Sequence, residues 1–236
     1  MQHAEILALA GLRIDGRRQD EIRTLCHQYG VSPEADGSVY FEQGLNKIMV
    51  CVHGPQEPTK RPDDETKAQV EVLIANAPFS GAEWKKRRAA DRRTVEMQTS
   101  IQDILSSIID LEVYPKSKIN VVVNIFESDG STFCAIVNAV SMALMDAGVA
   151  MSDLIVACSI GFSKGMICQD CTQIEQNSGG AYIPVVMKAH SQEVVYLNLD
   201  NRLSHEHLET ALEAAQQGSQ QIGKYIVNSQ KERMNA

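Results

Sequence analysis

The chain has little of what would mark several common classes of protein. No apolar run approaches the roughly 20 residues that a membrane-spanning helix needs. No basic-then-apolar pattern opens it (Glu5 stands early), so no signal peptide is expected. Aromatic residues make up 5% of the sequence, with a single tryptophan. Phosphate-binding P-loop, dinucleotide and nucleophile-elbow motifs are all missing. Cys168-Gln-Asp-Cys171 has the spacing of half a zinc site but no second pair. His205-Glu-His207 lacks the i, i+4 spacing of a metalloprotease helix, so no metal and no cofactor are expected.

What is present fits an ordinary soluble protein. The 236 residues suit one large domain or two small lobes, with 44% hydrophobic and 22% charged residues. Six scattered cysteines, four of them inside apolar runs, read as buried thiols in a reducing compartment. The net charge of −8 excludes a chain that is basic all over. Charge is nevertheless uneven, because six cations (Lys85, Lys86, Arg87, Arg88, Arg92 and Arg93) fall within nine positions.

The clearest local signal runs from Lys118 to Gly148. Ile119, Val121, Val123 and Ile125 alternate with Asn120, Val122 and Asn124, which predicts a strand with one buried face. Asp129-Gly130 signals a turn. Thr132 to Gly148 is small and apolar on nearly every side, a buried helix with Gly148 at its left-handed cap. A strand, glycine turn and helix can hold an anion at the helix N-terminus, and it can equally be plain core.

Elsewhere, 11–18 reads as a solvated arm with three arginines. Residues 38–42 and 47–52 form a hairpin, 55–67 an exposed loop and 68–77 an alternating strand. Met97, Ile101, Ile104/Leu105 and Ile108 mark an amphipathic helix with Asp91 as N-cap. Its clustered arginines sit at the positive end of the helix dipole, so either a neighbouring carboxylate or a phosphate backbone must compensate them. Residues 154–162 read as a strand, 182–187 and 194–199 as a hairpin, and the segment from about Ser204 as an amphipathic helix. The order implies an α+β fold with helices on mixed sheets.

Taken together, Arg13-Ile-Asp-Gly-Arg-Arg18, Ala35-Asp-Gly-Ser38 with Glu42-Gln-Gly44, Asp91-Arg-Arg-Thr-Val-Glu-Met97, Asp129-Gly-Ser-Thr132 and Asp146-Ala-Gly-Val-Ala-Met151 closely resemble the ribonuclease PH family, in its branch of eukaryotic RNA-exosome core-ring subunits. The motifs run in order from about residue 5 to residue 230. The resemblance implies an RNase PH-like fold of two β-α-β lobes (ribosomal protein S5 domain 2-like) in one compact unit, spanning 13–149 and 153–230. It also implies a place in a hexameric ring whose pore conducts single-stranded RNA. Implied partners are other RNase PH-like ring subunits, cap subunits and a hydrolytic ribonuclease subunit, with neither membrane nor DNA involved. The implied locations are nucleus, nucleolus and cytoplasm, and the implied work is 3′ processing and decay of ribosomal, messenger and other RNA.

Active family members use inorganic phosphate to cleave the 3′-terminal phosphodiester, which needs arginines for the anion and a carboxylate as acid or metal ligand. Carried over position by position, Arg93, Ser131 and Thr132 correspond to a phosphate site. The next position, an arginine in active members, is Phe133. The catalytic aspartates correspond to Gln176 and Tyr182, neither of which is a useful acid near neutral pH. The expectation is therefore a subunit without phosphorolytic activity that contacts RNA through Lys60, Arg61, Lys85, Lys86, Arg87, Arg88, Arg92 and Arg93. The alternative is an active phosphate-dependent exoribonuclease rebuilt around Asp170 or Glu175, and a zinc-binding module stands third.

Overall fold

The computed structural model describes residues 12–58, 66–81, 83–84, 91–163, 166–178 and 180–235. The chain divides into two compact units. One comprises 25–128 and 135–154. The other comprises 129–134 and 155–236 together with the N-terminal segment up to Thr24.

The first unit is built on a five-stranded sheet of β1 (Leu25–Tyr29), β2 (Gly37–Gln43), β3 (Asn46–Gln56), β4 (Gln69–Asn76) and β5 (Lys118–Glu127), in the order β1-β2-β3-β5-β4. The hairpin β2–β3 turns at Gly44, whose φ of 60° suits glycine. β4 runs parallel to β5, which demands a crossover, and helix α1 (Arg92–Ile108) lies within it and packs on β4. Ile101, Ile104, Leu105 and Ile108 form its buried stripe, as the spacing predicts. On β5 the expected alternation holds, with Ile119, Val121, Val123 and Ile125 buried.

Helix α2 (Thr132–Ala147) enters this unit from Ala135 and is buried continuously through Leu144. It lies so close to β2 that a Cβ on Gly37 would strike the backbone of Ala143 and Ala147. Asp146 accepts the Ser38 N–H (2.9 Å), and Gly148 ends the helix with φ 68°.

The second unit carries an antiparallel sheet of β6 (Ile155–Ser163), β7 (Met166–Gln169), β8 (Ala181–Lys188) and β9 (Val194–Leu197), ordered β7-β6-β8-β9. A one-turn helix α3 (Gln173–Gln176) follows β7, and α4 (His205–Asn235) packs on β6, β7 and β8. α4 buries Ala211, Ala215, Ile222 and Ile226.

Two expectations change. The second sheet is wholly antiparallel rather than mixed. The arm is also not solvated throughout, for Arg13 is 2% exposed. Residues 13–24 group with the second unit. The physical reason for the burial and for the grouping is charge pairing: Arg13 binds Glu175, and Arg23 binds Asp170.

Candidate functional site

The turn that leads into α2 is held from several sides. Gly130 (φ 72°) lies directly against the backbone of Cys171, Thr172 and Gln173, leaving no room for a side chain. Arg23 donates to the carbonyls of Asp129 (2.8 Å) and Gly130 (3.2 Å). Ser131 also has positive φ (54°) and is buried. Its hydroxyl donates to the Cys171 carbonyl (2.7 Å) and lies 2.5 Å from the Ser159 hydroxyl. The Ser131 side chain, expected at a phosphate site, is thus engaged inside the protein. Thr132 opens α2 and is half-buried.

Phe133, Gln176 and Tyr182, expected from the resemblance to replace active-site residues, all lie in the second unit. Phe133 packs its ring on Tyr196 of β9, with centroids 5.1 Å apart. Gln176 ends α3 and Tyr182 lies on β8, both half-buried. Burial pushes the Tyr182 hydroxyl well above its ordinary pKa, reinforced by neighbouring thiol groups and opposed by its hydrogen bond with Ser131, so it stays protonated. A small pocket beside Gly161, Phe162, Gln176 and Tyr182 offers about 20 Å³ to water-sized occupants, room for about one water.

Asp170 and Glu175, the carboxylates closest in sequence to Gln176, are both engaged in ion pairs. Arg23 Nε donates to Asp170 Oδ2 (2.9 Å) and Nη2 to Oδ1 (2.6 Å), while the Arg23 backbone N–H also reaches Oδ2 (2.9 Å). Arg13 Nε and Nη2 clasp Glu175 at 2.8 and 2.5 Å, and the Thr172 N–H caps the same carboxylate at 2.9 Å. Burial alone would raise both carboxyls, but the arginine hydrogen bonds and charges outweigh it and lower them. The other N–H groups of Arg13 donate to the carbonyls of Gln169 (2.6 Å), Asp170 (2.9 Å) and Glu21 (3.4 Å). Sequence reading passed over Arg23 entirely. In Asp20-Glu-Ile-Arg23 it looks like one more solvated charge, and nothing local distinguishes it.

Cys168 and Cys171 are buried free thiols. Among the described residues no group of three His, Cys, Asp or Glu side chains is placed to hold a metal. His207 stacks on Phe162, with centroids 4.6 Å apart. In the first unit, Arg92 and Arg93 are exposed at the start of α1, and Arg92 pairs with Glu96 at 2.9 Å. Lys60, Arg61, Lys85, Lys86, Arg87 and Arg88 lie outside the described residues.

The chain is thus a two-unit α+β protein with an arginine-pinned glycine turn at the head of a buried helix. The chain belongs to the 3′ exoribonuclease (RNase PH) family: residues 21–150 match its domain 1 and residues 153–218 its domain 2. It is 37% identical over 227 residues to exosome complex component RRP41 of Mus musculus, covering 94% of this chain and 91% of that one. It is 34% identical over 225 residues to exosome complex component ski6 of Schizosaccharomyces pombe, covering 94% and 92%. Among solved structures, Rrp46 of rice (Oryza sativa) superposes with a TM-score of 0.84 at 22% identity, covering 92% of this chain and 99% of that one. A chain of the Archaeoglobus fulgidus exosome with RNA bound to the active site gives 0.80 at 19% identity, covering 92% and 93%. These likenesses establish the RNase PH-like fold.

Proposed function

We propose that this chain is a non-catalytic core-ring subunit of a eukaryotic-type RNA exosome, contributing structure and part of an RNA path to 3′→5′ processing and decay. Homology to exosome components over nearly the whole chain supports the assembly. The loss of activity is supported by one observation: Asp170 and Glu175, the carboxylates nearest in sequence to Gln176, are both held in buried arginine ion pairs. Phe133 offers phosphate no charge, and Gln176 and Tyr182 offer no acid at neutral pH. Asp170 and Glu175 sit in buried arginine clasps that keep them ionised, which suits neither proton donation nor capture of a metal.

In this reading the chain takes its place in a hexameric ring with other RNase PH-like subunits, under cap subunits, and a separate hydrolytic subunit cuts the RNA. It works in nucleus, nucleolus and cytoplasm. The test is the ring assembled with this chain, without the hydrolytic subunit, on end-labelled single-stranded RNA with and without inorganic phosphate. We expect no nucleoside diphosphate under either condition. Product that appears only with phosphate would refute the inactive assignment.

A further inference from the structure

Two aromatic side chains of the first unit stand in solvent. Phe79 is 64% exposed and Trp84, the chain's single tryptophan, is 71% exposed. An isolated exposed apolar residue is ordinary on a protein surface, so exposure by itself decides nothing. The surroundings do.

Phe79 projects from a clamped turn. The Ala77 N–H bonds to the Ile125 carbonyl (2.9 Å) and carries the β4–β5 pairing one residue further. The Ser80 N–H closes the turn onto the Ala77 carbonyl (3.0 Å). The Ser80 carbonyl then accepts both the backbone N–H (2.9 Å) and the hydroxyl (3.2 Å) of Ser128. Three residues before Phe79, Asn76 Nδ2 donates to Thr94 Oγ1 (3.1 Å), tying the end of β4 to the first turn of α1. That turn bears the exposed Arg92 and Arg93 and contains no acidic residue, and Asp91 makes no side-chain cap bond to it. Trp84 is followed in the chain by Lys85-Lys86-Arg87-Arg88.

Phe79 follows a strand end tied to the first turn of α1, where Arg92 and Arg93 stand exposed, and Trp84 lies between Phe79 and these arginines in the chain. Exposed aromatics and cations grouped in this way match the two faces of single-stranded nucleic acid. Unpaired bases offer flat rings to stack on, and phosphates offer negative charge. A protein partner would suit this surface less well, because the cores of protein interfaces are depleted in charge. We infer that Phe79 and Trp84 are base-stacking side chains for single-stranded RNA, acting with Arg92 and Arg93. The inference rests on the proposed RNA path and adds two residues to it. Stacking leaves a sequence-tolerant contact, since every base has a π-face, whereas the arginines hold the backbone.

The lone tryptophan makes the test direct. The full chain is titrated with oligouridylate of about a dozen nucleotides, within the usual span of such sites, and separately with inorganic polyphosphate of matched charge. Tryptophan emission is followed together with the anisotropy of end-labelled RNA. We expect emission to fall over the same concentrations at which anisotropy rises, and polyphosphate to bind without a comparable fall. Trp84→Ala and Phe79→Ala should each weaken RNA binding roughly 5- to 100-fold while leaving the salt dependence unchanged. Trp84→Phe should retain most of the affinity.

RNA that binds without quenching, together with wild-type affinity of Trp84→Ala, would overturn the stacking role and leave the RNA path standing. A wild-type chain that binds no RNA would overturn both. Normal RNA binding by Trp84→Ala with failed assembly onto RNase PH-like subunits would instead assign the tryptophan to a protein contact and overturn the inference.

Discussion

Asp170 shows at the scale of one residue how a buried carboxylate can be wholly engaged in holding the fold. It has positive φ (52°), is 1% exposed, and accepts three hydrogen bonds from Arg23 alone. Removing one partner of a buried ion pair strands the other charge, and the loss is typically about 3–5 kcal/mol. Asp170→Asn should therefore lower the urea midpoint sharply, with the Asp129–Gly130 turn loosened as Arg23 loses its anchor. Acid should act on the same groups. Asp170 and Glu175 are held below their ordinary values of 3.8 and 4.5. The stability they contribute is thus complete above roughly pH 5 and is lost as pH falls through the depressed folded values. Denaturation midpoints measured from pH 7 downward should fall off below about pH 4.5, less steeply in Asp170→Asn than in the parent. Equal slopes in the two would show that other groups govern acid unfolding. None of this is visible in sequence, where Arg23 and Asp170 are 147 positions apart. Phe133, Gln176 and Tyr182 could be read there only because a family pattern supplied the register.

At the scale of the element, α4 separates two glycines that look alike in sequence. A Cβ on Gly218 would sit 2.6 Å from Cys158 Sγ and 3.2 Å from Gln169 Oε1, whereas one on Gly223 would meet Val156 at 3.5 Å and Ala189 at 3.8 Å. Gly218→Ala should destabilise by about 1–3 kcal/mol through overpacking. Gly223→Ala should be neutral or stabilise by up to about 1 kcal/mol, since alanine is the better helix former and the contact is ordinary. Thermal midpoints of both variants and of Gly218→Ala/Cys158→Ala decide it, because the double variant should recover much of the loss if Cys158 is the obstacle. The elements that sequence predicts well are those with a dense apolar period: β5, α1 and α4. β1 is missed because Leu25–Tyr29 is an edge strand with no fully buried residue to mark it. β7 is missed for its length of four residues, and α3 is a single turn capped by the carboxylate of Glu175.

For the whole molecule, a net charge of −8 and the proposed RNA path look contradictory until distance is considered. At physiological salt a charge is screened beyond roughly 8–10 Å, so an exposed arginine pair acts on a phosphate in contact with it while the acidic remainder is largely hidden. Binding should then be independent of sequence and governed by counterion release, with a slope of about 0.7 per phosphate contact for single strands. Reversing two such contacts by Arg92→Glu/Arg93→Glu should flatten the log–log salt dependence of RNA protection by the assembled ring by roughly 1.4 and shorten the protected fragment. Trp84→Ala, by comparison, should weaken binding at every salt concentration alike. The two variants therefore separate charge from stacking within one assembly. If Arg92→Glu/Arg93→Glu leaves both the slope and the protected length unchanged, the start of α1 lies off the RNA path and Arg92 merely pairs with Glu96 on a solvated helix face. If the slope flattens, local charge at that helix is what lets an acidic protein hold an acidic polymer.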